Sequence, residues 1–386
     1  MFIPYGRQNI NQADIDAVVQ VLQSDFLTQG PQVPLFEKSI AELVGARYAF
    51  AMNSATSALH VACLALGLKQ GDVLWTSPIT FVASANCALY CGAEVDFVDI
   101  DRKTYNLSVD ALKAKLEFAK QNNKLPKIVV PIHLCGQSCD MERIHALSLE
   151  YGFSIIEDAS HAIGGKYKDN YIGSNQYSDI TIFSFHPVKI ITTAEGGMAL
   201  TNNEELAKKI DLLRSHGVTR NPEFMNKLSE GPWYYQQVEL GYNYRMTELQ
   251  AALGISQIGR LEKFVAKRHE IAQIYNDKLK DLPIVLPYQL PETYSGLHLY
   301  VVCLKLELIK RTRKEVFEFL RAKGIGVNVH YIPVHTQPYY KSLGFKDGDF
   351  PNAEAYYSMS ISLPMYPDLT IDQMDYICST LKIILE

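Results

Sequence analysis

The first half of the chain alternates short apolar runs with stretches of helical spacing. YAFAM (48–52), DVLWTS (72–77), VDFVDI (95–100), KIVVPIHL (127–134), FSIIED (153–158), DITIFSF (179–185) and GMALTN (197–202) have the length and β-branched content of strands. Between them, segments such as TSALHVACLALGL and MERIHALSLEYG place apolar residues on one helical face, the second stopped by Gly152. An amphipathic helix is expected before all of these, near Asn11 to Gln23. Strands alternating with helices imply an α/β fold whose largely parallel sheet is covered on both faces. Ligands of such sheets bind beyond the carboxyl ends of the strands.

From about Met246 the pattern turns helical through TELQAALGISQIGRLEKFVAKRHEIAQIYNDKL toward Asp281. A strand candidate, HLYVVCLKL, a helix, RKEVFEFLRAKG, and an aromatic-rich tail follow. The expected organisation is a large domain over 1–260 and a smaller α+β domain over 261–386. With 386 residues, 47% hydrophobic and 20% charged, the chain has the composition of a folded globular protein. A net charge of −5 speaks against a general nucleic-acid binder. The start of the chain lacks a basic region followed by an apolar run, and no stretch reaches the roughly 18 apolar residues of a membrane span. Seven cysteines, at 63, 87, 91, 135, 139, 303 and 378, suit reduced thiols in the cytoplasm. A zinc site would need a second matching pair of ligands in turn-like surroundings beside Cys87/Cys91 or Cys135/Cys139, and Cys87 and Cys91 read as a buried helix face, so no metal is expected.

Three strand ends carry candidate chemistry. After YAFAM comes NSATSALH, where helix-initial amides and the hydroxyls of Ser54, Thr56 and Ser57 form an anion cradle or simply cap the helix. FSIIED delivers Glu157 and Asp158 to the crevice, with His161 three residues beyond Asp158. DITIFSF opens into HPVKIITTAEGG, which frames a single lysine, Lys189. Taken one at a time, these residues are a helix cap, a turn carboxylate and a loop charge. Together they match the needs of pyridoxal phosphate: donors for its phosphate, a carboxylate for its ring nitrogen, and a lysine to hold its aldehyde as an imine.

The stretches NSATSALH, EDASHAIGG, SFHPVKIITTAEGG, LGYNYRMTELQAALG and GIGVNVHYIPVH, in this order, resemble the DegT/DnrJ/EryC1/StrS sugar aminotransferases along essentially the whole chain. That resemblance implies fold type I of the pyridoxal phosphate enzymes, with Lys189 as the catalytic lysine and Asp158 paired to the ring nitrogen. It implies His161 near the ring hydroxyl, Phe81 stacked on the ring, and Ala55, Thr56 and Ser184 around the phosphate. Asn243 would reach that phosphate from the other subunit of a homodimer. Tyr5, Phe26, Leu27, Thr28, Asn328, His330 and Tyr331 would line the nucleotide-sugar site, with Arg245 of the second subunit near the diphosphate. His298 and His335 are expected to play structural parts.

Lysine rather than histidine at position 189 favours transamination over the deoxysugar dehydration of a related branch. L-Glutamate is the implied amino donor. NSATSALH, DASHA, LRSHG and VHY resemble the branch that aminates a UDP-linked 4-keto sugar for pseudaminic acid synthesis. The same machinery on a dTDP- or GDP-linked keto sugar, and a non-catalytic cofactor-binding protein, are the alternative readings. Residue 194 is alanine where many relatives have glycine, so either no positive φ is needed there or a strain of about 1 kcal/mol is tolerated.

Overall fold

A computed structural model describes residues 2–386. The expected strands form one seven-stranded sheet: β1 (Tyr48–Met52), β2 (Val73–Thr76), β3 (Glu94–Phe97), β4 (Ile128–Val130), β5 (Ser154–Asp158), β6 (Ile180–Ser184) and β7 (Gly197–Thr201), in the order β1-β7-β6-β5-β4-β2-β3. Pairings among β2, β3, β4, β5 and β6 are parallel; β7 alone runs antiparallel to its neighbours β6 and β1.

Side-chain alternation assigns each strand two faces. Leu74, Ile128, Val130 and Ile156 pack with helices α3 (Ala55–Ala65) and α4 (Ala83–Tyr90). Their neighbours Trp75, Val129 and Ile155 point the other way, against α5 (Val109–Gln121) and α6 (Met141–Tyr151). Both faces are dry, which is why these strands read as continuous apolar runs. Ahead of the sheet, α1 (Gln12–Leu22) begins with a reciprocal Asn11/Asp14 capping box, and α2 (Gln32–Val44) buries Phe36 and Ile40 beside Phe183 and Phe185. Gly152 ends α6 at φ 79°, the left-handed conformation a helix stop favours.

The long helix expected from Met246 to Asp281 is two helices, α7 (Glu248–Ile258) and α8 (Leu261–Leu279). Arg260 between them turns its guanidinium to Asp14 and Asn9 at the start of α1. That buried ion pair anchors the bend, and periodicity alone cannot reveal it. Helix α8 serves two cores: Leu261, Phe264 and Val265 pack with the large-sheet residues, whereas Ile271, Ala272 and Tyr275 pack with the C-terminal part. There an antiparallel sheet of β8 (Ile284–Val285), β9 (Tyr300–Leu304) and β10 (Ser360–Leu363) lies against α9 (Arg313–Ala322) and α10 (Ile371–Leu385). Ile3 completes this C-terminal core, and its strand bridge to Ile325 carries Tyr5 to the edge of the crevice. Arg268 on α8 is buried, among the described residues with no carboxylate partner; its Nη1 donates to the carbonyls of Leu297, His298 and Met365, each at 3.1 Å.

Candidate active site

The three strand ends converge where the topology predicts. Gly197, first residue of β7, pairs with Met52 at the end of β1 and with Ser184 at the end of β6. A Cβ built on Gly197 would lie 2.3 Å from the Ala55 amide nitrogen, so only glycine lets β7 pass against the start of α3. The helix start and Ser184 therefore flank one backbone crossing.

At that helix start the Ser54 hydroxyl accepts from the Ser57 amide at 3.1 Å, and the Ser54 carbonyl accepts from Ala58 at 3.1 Å. The Ser57 hydroxyl donates to Asn53 at 2.6 Å. Two of the three hydroxyls expected to bind an anion thus serve the cap. The Ala55 and Thr56 amides precede the first intrahelical bond, and with the Thr56 hydroxyl they are the donors an anion would meet.

Asp158 ends β5 and is 5% exposed. Its Oδ2 accepts from the Ser84 hydroxyl at 2.6 Å and its Oδ1 from the Ser160 amide at 3.1 Å. The adjacent Glu157 points to the opposite face, where Oε2 meets His133 Nε2 at 2.7 Å and Oε1 accepts from Ser178 at 2.5 Å. His133 Nδ1 accepts the Cys139 amide, so its proton sits on Nε2 and is donated to Glu157. Strand alternation therefore separates the two carboxylates: Glu157 ties the strand to the core, and Asp158 faces the crevice.

Lys189 sits in a loop that closes on itself through Phe185 N–H to the Gly196 carbonyl and Thr193 N–H to the Phe185 carbonyl, both at 2.9 Å. Burial lowers its ammonium to about 8, and the charge of Asp158 pulls the other way. Ala194 in this loop has φ 65°, so the positive φ is required and alanine bears the strain; its amide donates to Thr192 Oγ1 at 3.0 Å.

Across the crevice, aromatic and imidazole groups gather from several segments of the chain. His161 Nδ1 accepts the Cys135 amide at 3.3 Å, which puts the ring proton on Nε2, 3.1 Å from the Tyr331 hydroxyl. Any contact of His161 with a ring hydroxyl would share this edge with Tyr331. Burial, with the nearby Lys189 and His330, holds His161 well below its ordinary range. Burial and Lys189 bring His330 down to about 3, and its Nδ1 lies 2.7 Å from the Ser362 hydroxyl. Both rings are neutral at physiological pH. His298, its ring 4.5 Å from His161, is buried with Nδ1 unpartnered, and His335 meets Glu354 at 3.0 Å. Tyr5 lies 5.5 Å ring to ring from His330. Phe81, 60% exposed, has its ring 6.5 Å from Tyr331.

Within one chain, then, Tyr5, Asn328, His330 and Tyr331 gather near His161 and Lys189. Phe26, Leu27 and Thr28 lie elsewhere, exposed beside the start of α7, where the Leu27 carbonyl accepts the Glu248 amide. Asn243 is exposed, its carbonyl 3.5 Å from Asn53 Nδ2, and Arg245 donates to Ser215 at 2.9 Å. A surface cavity of about 640 Å³ is lined by Gly30, Arg214 and Arg245 but by neither Lys189 nor Asp158, so cavity size does not mark the chemistry. Ser84 and its partner Thr80 had no place among the expected site residues. Their signal was present in SPITFVASAN, on either side of Phe81, but a hydroxyl gains meaning there only once Asp158 is beside it. Among the described residues, no cluster of three or more His, Cys, Asp or Glu is arranged to hold a metal, and no helix is long and apolar enough to cross a membrane.

Residues 8–382 match the model of the DegT/DnrJ/EryC1/StrS aminotransferase family. The chain belongs to this family. Aminotransferases of this kind depend on pyridoxal phosphate, and the residues present fit it: a glycine-only crossing beside free helix amides, a buried strand-end carboxylate, and a lysine with a lowered pKa. The chain is 40% identical to the spore coat polysaccharide biosynthesis protein SpsC of Bacillus subtilis, over 99% of its own length and 96% of that protein's. It is 39% identical to a UDP-4-amino-4,6-dideoxy-N-acetyl-beta-L-altrosamine transaminase of Campylobacter jejuni, over 100% and 98%. Helicobacter pylori PseC, an aminotransferase involved in the biosynthesis of pseudoaminic acid, superposes with a TM-score of 0.91 at 31% identity, covering 100% of this chain and 99% of that one. As a DegT-family sugar aminotransferase, the chain has the α/β architecture of fold type I.

Proposed function

We propose that this aminotransferase moves the amino group of L-glutamate to the C4 keto group of a UDP-linked 2-acetamido-2,6-dideoxy-hexos-4-ulose, forming UDP-4-amino-4,6-dideoxy-N-acetyl-beta-L-altrosamine for pseudaminic acid synthesis. The observation that carries the chemistry is the meeting of Lys189, Asp158 and the α3 amides at the strand ends of one sheet. Bound there, pyridoxal phosphate supplies the electron sink for amino-group transfer. The Ala55 and Thr56 amides, the Thr56 hydroxyl and Ser184 would hold the phosphate. Asp158 would keep the ring nitrogen protonated, and Phe81 would cover one face of the ring. Lys189 would anchor the cofactor, and its amine, lowered by burial to about 8, can give up and take back a proton near neutral pH. Neutral His161, His330 and Tyr331 leave the substrate side without fixed charge.

In this reading the enzyme is a cytoplasmic homodimer. Asn243 reaches the second subunit's phosphate site, and Arg245 meets the nucleotide diphosphate through charge-assisted, fork-like hydrogen bonds. The exposure of Asn243, and of Phe26 to Thr28 away from their own chain's crevice, supports a site completed by a second copy. Seven free cysteines suit a reducing compartment. The similarity to the Campylobacter transaminase and to PseC supports the sugar. The similarity to SpsC favours a second reading, the same transfer to another nucleotide-linked keto sugar.

The test pairs two measurements. Purified protein with pyridoxal phosphate is followed by visible absorbance before and after L-glutamate, alongside Lys189→Ala. The loaded enzyme is then offered the UDP-, dTDP- and GDP-linked keto sugars in turn. Loss of the visible band on adding glutamate, absent in the variant, and amination of the UDP sugar alone are expected. A band that glutamate never discharges would sink the aminotransferase reading, whereas amination of a different sugar would overturn only the substrate.

A further inference from the structure

Asp158 is approached by a directed chain of hydroxyls that sequence reasoning missed. Ser84 Oγ lies 2.6 Å from Asp158 Oδ2, and Thr80 Oγ1 lies 2.8 Å from Ser84 Oγ. All three side chains are buried: Thr80 is 3% exposed, Ser84 1% and Asp158 5%. A serine hydroxyl has one proton, and the ionised carboxylate can only accept. Ser84 therefore gives its proton to Asp158, and Thr80 donates to the Ser84 oxygen. The Phe81 carbonyl, 3.3 Å from Ser84 Oγ, is the more distant acceptor, so the order Thr80 to Ser84 to Asp158 is the favoured one.

Two consequences come from that direction. A donated hydrogen bond favours the charged form of a carboxylate, and a second donor behind it polarises the first. With the Ser160 amide on Oδ1, the two donors also fix the plane of the carboxylate, because neither oxygen can swing without breaking a bond. Thr80 and Ser84 bracket Phe81, whose exposed ring lies near Tyr331. The chain of hydroxyls thus ties the segment that carries the stacking face to the group that meets the ring nitrogen. Ser84 sits in the first turn of α4, and Asp158 ends β5, so the link also bridges elements far apart in sequence.

We propose that Ser84, oriented by Thr80, is a positioning residue for this reaction: it fixes the plane of the Asp158 carboxylate that would meet the cofactor's ring nitrogen, and ties that carboxylate to the segment carrying Phe81. The inference rests on the pyridoxal phosphate reading of the site. Lys189 and Tyr331 are the other titratable groups whose charges interact with Asp158, and Glu157 is turned away to His133. None of them offers Asp158 a hydrogen bond, so Ser84 has no substitute.

The test uses the holoenzyme with Ser84→Ala, Thr80→Val and Thr80→Ser, measuring the dissociation constant for pyridoxal phosphate and the kcat and KM of the glutamate half-reaction. A hydrogen bond to a charged group is large enough that Ser84→Ala is expected to lower kcat and weaken cofactor binding by roughly tenfold to a hundredfold. KM for glutamate should stay within about twofold, since the donor's own contacts remain. Thr80→Val, nearly isosteric, should show the same pattern at roughly two- to fivefold, because it removes only the polarising bond. Thr80→Ser, which keeps the hydroxyl, should restore the wild-type values. Unchanged cofactor affinity and kcat in both Ser84→Ala and Thr80→Val overturn the inference, as does a loss that Thr80→Ser fails to restore. A wild-type enzyme that binds no pyridoxal phosphate overturns the reading of the site itself, an outcome separate from these.

Discussion

Replacing Lys189 with methionine should make the cofactor-free protein more stable, and by an amount that depends on pH. The amine falls from an ordinary 10.5 to about 8 in the folded chain, with burial the larger cause and Asp158 opposing it. In the unfolded chain the same lysine stays protonated up to its ordinary value. Between those two values the unfolded state binds more protons than the folded one, so stability rises with pH across that window. Below about 8 the full cost of holding a buried ammonium is present.

A gap of about 2.5 at about 1.36 kcal/mol each sets a ceiling of about 3 kcal/mol. Lys189 keeps part of its surface in solvent, which reduces this to about 1.5 kcal/mol. Denaturant titrations of the apo protein should therefore show Lys189→Met more stable than wild type by about 1.5 kcal/mol at neutral pH. The advantage should shrink to a few tenths near pH 10, where the folded wild-type amine is already neutral. Equal stability at neutral pH, or an advantage that does not fall with rising pH, would refute the claim that burial holds this amine near neutrality. The same shift has a catalytic side, since at neutral pH roughly a tenth of the amines are free to react, against fewer than one in a thousand at the ordinary value.

Three further outcomes are expected. Gly197→Ala forces a Cβ to within 2.3 Å of the Ala55 nitrogen, backbone against backbone, and should cost about 1–3 kcal/mol of stability and abolish retention of pyridoxal phosphate on dialysis. Ala194→Gly relieves a residue at φ 65°; against the added freedom of the unfolded glycine, the net gain should be about 0.5 kcal/mol by denaturant midpoint, with the glutamate half-reaction unchanged. Glu157→Gln weakens the buried link to His133 and Ser178, so thermal unfolding should show a loss of about 1–3 kcal/mol while affinity for pyridoxal phosphate holds, which separates this carboxylate from Asp158.

The amino-acid sequence by itself determined the seven strands of the large sheet, because dry two-sided strands are unbroken apolar runs and their helices carry a clear period. It also narrowed the candidate chemistry to Lys189 and the Glu157/Asp158 pair, since each lies at or just beyond the end of such a strand and the crevice of a parallel sheet lies at those ends. Tertiary structure decided what depends on partners distant in sequence. Arg260, between the two helices, has its guanidinium held by Asp14 of another helix, a contact the local pattern does not show. Glu157 and Asp158 are neighbours in the chain, and strand alternation sends one to His133 and the other to Ser84. Two serines of the cradle turned out to cap their own helix, a choice set by local geometry that hydroxyl content cannot reveal. Ala194 takes a positive φ because the loop must close beneath Lys189, and side-chain identity alone left that open. The lowered pKa of Lys189 is a property of burial, which no residue has until the chain around it has folded.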